Sequence, residues 1–152
     1  MFDDLDYKIL ECLSLSARMS FTELAQTLSL SVPSTAERVR KLEEKGVIKG
    51  YTTSVNYKLL GLDLTAFVFV TLAHPKHRAA FLAEVQKYPE IQECHHITGD
   101  DDYLLKVRCF NSEHLDVLLN DRLKQLPGIL KTRTTIALSS PKEISRVIRH
   151  DS

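Results

Sequence analysis

Hydrophobic positions recur with a helical period up to about residue 47 and with a shorter one afterwards. Leu5, Ile9, Cys12 and Leu13 fall at spacings of four, three and one, which places them on one face of a helix. Asp3 or Asp4 is positioned to cap its start. Ser20-Phe21-Thr22-Glu23 has the form of a capping box, in which the Ser hydroxyl and the Glu carboxylate each satisfy an orphan backbone donor. Leu24, Ala25 and Leu28 give this second helix its apolar side, and Ser29-Leu30-Ser31 reads as a short turn. A third helix starts with Ser31 as N-cap and carries Pro33 in its first turn, where a missing N–H costs nothing. Lys41 and Lys45 suit its C-terminal end and Gly46 its termination. Its predicted buried stripe is Val32, Ala36, Val39 and Leu42.

Beyond Gly46, Val47-Ile48-Lys49 and Tyr51 to Val55 read as short extended pieces hinged at Gly50, and Leu59-Leu60-Gly61 as a turn or one helical turn. Strands are predicted over 65–72, 91–98, 103–109 and 129–138, and helices over 77–88 and from a Ser112 cap to about Gln125. Gly99-Asp100-Asp101-Asp102 forms the tight turn between the middle strands. The expected fold is α+β. Residues 1–50 form a three-helix helix-turn-helix domain, 51–63 a linker packed in part as a short strand, 64–140 a ferredoxin-like βαββαβ domain with an antiparallel sheet, and 141–152 a polar tail.

Composition narrows the function classes. The 152 residues are 43% hydrophobic, enough for a core, so a wholly disordered chain is excluded. The longest apolar run, Leu64 to Ala73, is about half of the roughly 20 residues a bilayer span needs. The start, Met1-Phe2-Asp3-Asp4, is acidic where a secretory signal would be basic. Three widely spaced cysteines form no disulfide framework, which points to a reducing, cytoplasmic compartment. Cys94-His95-His96 resembles a metal motif, but alternation on a strand puts only Cys94 and His96 on one face, too few ligands for zinc. No Gly-rich phosphate loop, His-Glu-x-x-His or Gly-x-Ser-x-Gly occurs, and neither a metal nor a cofactor is expected.

The 20 basic and 20 acidic groups cancel, an average that hides a local bias. Residues 31–50 hold five basic groups (Arg38, Arg40, Lys41, Lys45, Lys49) against Glu37, Glu43 and Glu44. Ser34, Thr35, Arg38 and Lys41 lie opposite the predicted apolar stripe, with Arg40 at the flank and Ser31 at the cap. Hydroxyls at a helix N-terminus suit phosphate or base edges, and Arg38 has the reach for a bidentate guanine contact. The pattern fits either an ordinary amphipathic helix with a solvated charged face or a helix that reads double-stranded DNA, in which Ser31, Ser34, Thr35, Arg38, Arg40 and Lys41 would make the contacts; three short helices with this turn favour the second.

Several strings together resemble the Lrp/AsnC family of feast/famine transcription factors. They are Leu5-Asp6, Ile9-Leu10, Glu23-Leu24-Ala25, Glu37-Arg38-Val39-Arg40-Lys41-Leu42-Glu43, Val47-Ile48-Lys49-Gly50-Tyr51, Thr98-Gly99-Asp100, Asp102-Tyr103-Leu104-Leu105-Lys106, Leu126-Pro127-Gly128 and Thr132-Arg133-Thr134. The resemblance spans about residues 4–140. It implies a winged helix-turn-helix followed by a ferredoxin-like effector and oligomerisation domain, and dimers that commonly assemble into octamers. It further implies that the acidic turn helps bind a small effector, usually an amino acid, at a contact between dimers. On that basis Asp102 would meet the effector ammonium, Gly99 would let backbone approach, and Asp100, Thr98, Thr132 and Thr134 would supply polar neighbours. Asp101 departs from the aromatic residue many members carry there, which leaves open a divalent cation on the three carboxylates. The function so implied is a sequence-specific DNA-binding transcriptional regulator whose DNA binding or assembly responds to the effector. Two alternatives share the architecture: a tetrapyrrole-decarboxylating enzyme, against which the intact third helix argues, and an effector-sensing oligomer without DNA binding.

Overall fold

Capping chemistry sets the first three helices. A computed structural model describes residues 2–144 and residue 147, and it divides the chain into one unit built on the first 55 residues and another on Asn56–Pro141. The polar tail expected from residue 141 lies largely outside the described residues. Helix α1 (Asp4–Leu15) opens on a capping box in which Asp3 accepts from the Asp6 amide at 2.9 Å and Asp6 accepts from the Asp3 amide at 3.1 Å. Helix α2 (Phe21–Leu28) opens on the Ser20/Glu23 box, with Glu23 accepting from the Ser20 amide at 2.7 Å. The connecting turn is entered through Ser29 in the left-handed region (φ 55°), whose amide bonds to the last turn of α2. Helix α3 (Val32–Glu44) starts on the Ser31 cap, and Gly46 follows its end at φ +68°.

Ile9, Leu24, Val39 and Leu42 form the buried centre of this unit, joined by Leu13, Met19, Leu28, Val47 and Ile48. The buried side of α3 is rotated from the stripe read off hydropathy. Thr35 is fully buried, Val32 is 41% exposed, and Ala36 is half-buried. Thr35, Val39 and Leu42 share one narrow arc, and Thr35 can occupy it because its hydroxyl donates to the Ser31 carbonyl at 3.0 Å. The short strand expected in the 51–63 linker is not seen. Among the described residues every strand pairing belongs to the sheet that begins at Leu64, and Tyr51 and Val55 are exposed. β-branched residues give that segment a propensity for extension, whereas a strand also needs a neighbour. Asn56 caps a 3₁₀ turn over Tyr57–Leu60 that Gly61 ends, as expected for that stretch.

The second unit is a four-stranded antiparallel sheet with the order β2-β3-β1-β4. Its strands are β1 (Leu64–Leu72), β2 (Ile91–His96), β3 (Tyr103–Cys109) and β4 (Ile129–Ile136). Period-two alternation sorts their faces. Ala66, Val68 and Val70 of β1 and Leu105, Val107 and Cys109 of β3 point to one side. There they pack against Phe81 and Val85 of helix α4 (Arg78–Val85) and against Leu115, Leu118 and Leu123 of the segment after β3. That segment begins at Asn111 rather than Ser112: the Asn111 side chain accepts from the His114 amide at 2.8 Å, which leaves Ser112 inside helix α5 (Ser112–Asp116). It widens into a π turn over Val117–Arg122 and tightens to a 3₁₀ turn over Leu123–Gln125. Gly128 precedes β4 at φ +87°, where a Cβ would sit 2.1 Å from the His77 ring.

Candidate nucleic-acid interface and effector turn

The outward side of α3 carries Ser31, Ser34, Arg40 and Lys41, all exposed. Ser31 also caps the helix, accepting from the Ser34 amide at 3.2 Å. Thr35 is not on this side. It is a packing residue, because the helix turns it beneath Ser31 and into the core.

The cations of α3 are all engaged within the chain. Arg38 Nη1 lies 2.9 Å from Asp3 Oδ2, 3.0 Å from Asp3 Oδ1 and 2.8 Å from Asp6 Oδ1. The Asp6 amide and then Arg38 hold the Asp3 carboxyl below its ordinary range, and the two aspartates raise Arg38 in return. Arg40 meets Glu37 in a two-pronged contact at 2.7 and 3.0 Å and also meets Glu44. Lys41 stands 3.4 Å from Glu37, and Lys45 covers the Phe2 ring at 5.3 Å. Arg38, Arg40 and Lys41 therefore sit among carboxylates, and the segment after α3 is not a strand. Asp3 and Asp6 were not among the residues singled out in the sequence for this surface. Their signal was a pair of carboxylates three apart at a helix start, which reads first as capping. Between them and α3 opens a cleft of about 320 Å³ lined by Phe2, Asp6, Ser34, Arg38, Lys41 and Lys45, among others.

The acidic turn is built differently from a ring of three free carboxylates. Gly99 takes φ +112°, Thr98 and Asp100 are exposed, and the Ile97 amide closes the hairpin on the Asp102 carbonyl. Thr98 thus lies in the turn, beyond the end of β2. Asp101 is 7% exposed and accepts from the Thr71 hydroxyl at 3.0 Å and from Arg133 Nη2 at 3.0 Å. Arg133, and then Thr71, hold its carboxyl below the usual range against the opposing pull of burial. The Asp102 carboxylate accepts from the Leu72 amide at 2.7 Å. The mutual repulsion of the turn is thus relieved by an arginine and a backbone N–H. Among the described residues no three His, Cys, Asp or Glu side chains gather into a cation site, so the divalent-cation expectation lacks a ligand set.

The candidate effector residues form two groups within one chain. Thr98, Gly99, Asp100 and Asp102 share the β2–β3 turn. Thr132 and Thr134 stand on β4, opposite Val70 and Val68, and so belong to the helix-covered face. Strand β1 lies between β3 and β4, which puts the threonines about 10 Å from β3. Arg133 and Thr71 lie on the other face and reach Asp101; sequence reasoning gave neither a role. His96 rests against Tyr103 (5.2 Å between ring centres) and meets Arg78, while His95 pairs with Glu93 at 3.0 Å. Burial, then Glu90, pushes the Cys109 thiol up to about 11, so it stays protonated.

Residues 2–49 match a family described as winged helix-turn-helix DNA-binding, and residues 65–147 match one described as Lrp/AsnC ligand binding domain. The chain is 40% identical over 148 residues to the leucine-responsive regulatory proteins of Salmonella typhimurium and Escherichia coli K12, covering 96% of this chain and 90% of each relative. Among solved structures, a Neisseria meningitidis transcriptional regulator in complex with L-Met superposes with a TM-score of 0.93 at 27% identity, covering 97% of both chains. Escherichia coli AsnC gives 0.86 at 33% identity, covering 97% of this chain and 98% of its own. A Mycobacterium tuberculosis feast or famine regulatory protein complexed with L-methionine gives 0.90 at 31% identity, covering 98% of this chain and all of its own.

Proposed function

The chain belongs to the Lrp/AsnC family of DNA-binding transcriptional regulators, and from that premise we propose that α3 reads double-stranded DNA while the sheet unit senses an amino acid. The single observation that carries the reading is the exposed side of α3, with Ser31 and Ser34 at its N-terminus and Arg40 and Lys41 a turn or two further on. A helix N-terminus with hydroxyls favours phosphate, and surface ion pairs as exposed as those of Arg40 and Lys41 dissociate readily when a phosphate competes. Residues 1–50 would read DNA, 51–63 connect, and 64–140 bind effector and assemble.

For the effector, the turn of Thr98, Gly99, Asp100 and Asp102 supplies carboxylates suited to an ammonium group. Two relatives of the same fold were crystallised with L-methionine, which supports an amino acid here. Thr132 and Thr134 join such a site only when β4 of another copy approaches the turn, so effector binding and assembly are linked. Leu59, Leu60, Leu130, Ile136 and Leu138 are all more than 45% exposed, apolar surface suited to burial between copies in dimers and, from them, octamers. No helix among the described residues is long and apolar enough to cross a membrane, and we place the protein in the cytoplasm, where its DNA is.

Fluorescence anisotropy on duplexes from upstream regions, over a salt series, tests the DNA reading. Arg40→Ala and Lys41→Ala should each flatten the plot of log K against log salt by about 0.9. Salt-independent or absent binding overturns it. A thermal-shift panel of the amino acids tests the effector reading, with the Asp102→Asn variant losing the response.

A further inference from the structure

Arg38 is treated unlike the other cations of α3. Arg40 and Lys41 pair with glutamates of their own helix, on side chains that are each at least 45% exposed. Arg38 is 28% exposed and pairs across to the start of α1, where Asp3 and Asp6 place three carboxylate oxygens within 3.0 Å of one guanidinium nitrogen. These carboxylates are held by more than the arginine. Each accepts a backbone N–H from the other's residue in the capping box, so the oxygens stay in position whether or not Arg38 is there. A fixed group of anionic oxygens facing one guanidinium is the arrangement a phosphate presents.

Arg38 also has somewhere to go. The adjoining cleft of about 320 Å³, which Arg38 borders, is lined by the Ser34 hydroxyl and the Lys41 and Lys45 ammonium groups, and also by Asp6 and by Glu37, whose carboxylate is already paired with Arg40 and Lys41. We propose that Asp3 and Asp6 act as a built-in substitute for a DNA backbone phosphate, occupying Arg38 in the free protein until a phosphate entering the cleft beside Ser34, Lys41 and Lys45 displaces them. The proposal rests on the DNA reading above. It makes Asp3 and Asp6 specificity-determining residues, although neither need touch DNA. Only an encounter that separates Arg38 from its carboxylates gains its phosphate contact, so weak, non-specific encounters go without a contact that a fully formed complex makes.

The experiment uses the full chain and a random-sequence duplex. Binding is measured by anisotropy over a salt series for the wild type, Asp3→Asn, Asp6→Asn and the double variant, each with and without Arg38→Gln. Glu11→Gln, an exposed position on the same helix, controls for loss of one negative charge, and twice its effect is the reference for the double variant. Asn is as good an N-cap as Asp, so Asp3→Asn keeps the helix start, and circular dichroism confirms it. The expected result is several-fold tighter non-specific binding by the double variant and a salt slope steeper by about 0.9, one additional phosphate contact. Both gains should exceed the Glu11→Gln control and vanish in the Arg38→Gln background. If the wild type binds and the double variant does no more than the control, or if its gain survives Arg38→Gln, the substitution idea falls while the DNA reading stands. If no form binds any duplex at any salt, both fall together.

Discussion

Arg133 and Asp101 meet at 3.0 Å on the sheet face turned away from the helices, with the guanidinium seated 3.9 Å above the Phe69 ring. Asp101 is nearly inaccessible there, so its ionised state depends on the arginine. The folded value lies below the usual 3.8, and the unfolded chain should titrate near it. A depressed folded value means stability that is complete above that pH and lost as pH falls through the folded value. Melting temperatures of wild type and Asp101→Asn should therefore differ by a constant amount well above 3.8, and the difference should shrink as the pH falls below 3.8 and through the lower folded value. A difference that stays constant throughout that fall would show that the charge of Asp101 is not what stabilises.

Gly128 and His77 make a second, steric prediction. With φ +87° and the His77 ring 2.1 Å from where a Cβ would be, Gly128→Ala should cost about 2–4 kcal/mol by urea denaturation. Because the His77 Cβ itself would lie 2.5 Å away, only adding His77→Gly, not His77→Ala, should recover the steric part and leave the left-handed strain, about 1 kcal/mol.

Thr35 separates packing from reading. Thr35→Val keeps the branched shape and removes the hydroxyl bond to the Ser31 carbonyl, which still receives the Thr35 amide at 3.0 Å. The expected loss is about 1 kcal/mol of stability, with an unchanged DNA salt slope. A slope flattened as much as by Arg40→Ala would return Thr35 to the DNA face.

Asn111→Ala should cost about 1 kcal/mol through loss of the cap on the His114 amide, whereas Ser112→Ala should be near neutral. Thermal denaturation of the two variants decides between the caps.

These residues also mark where sequence pattern carries information and where it stops. The three N-terminal helices were legible because their starts are local: the Ser20/Glu23 box and the Ser31 cap act within a few residues. The βαββαβ element order was legible because period-two runs alternate with helical ones around a Gly-Asp turn. Thr35 was misassigned because hydropathy ranks Val32 above it, although a threonine that bonds its own helix is satisfied when buried. Arg38 was assigned to DNA without its partners, because its pairing with Asp3 and Asp6 spans more than thirty residues and no local spacing encodes it. The segment from Tyr51 to Val55 has strand residues and no strand, since pairing depends on what lies alongside. Thr132 and Thr134 fit the family pattern by position, yet their separation from the turn depends on strand order.

Asp102 does the work of a ladder rung with its side chain. Its amide donates to the Val70 carbonyl at 2.9 Å, and its carboxylate takes the Leu72 amide at 2.7 Å, one residue past where the β1–β4 register slips. Whatever competes for that carboxylate must unfasten the last peptide of β1 at the slip, beside the entry to β4. If the turn takes an effector as proposed, chemistry there is geared to the position of an edge strand two places across the sheet, and a ligand no larger than an amino acid would have a backbone to pull on.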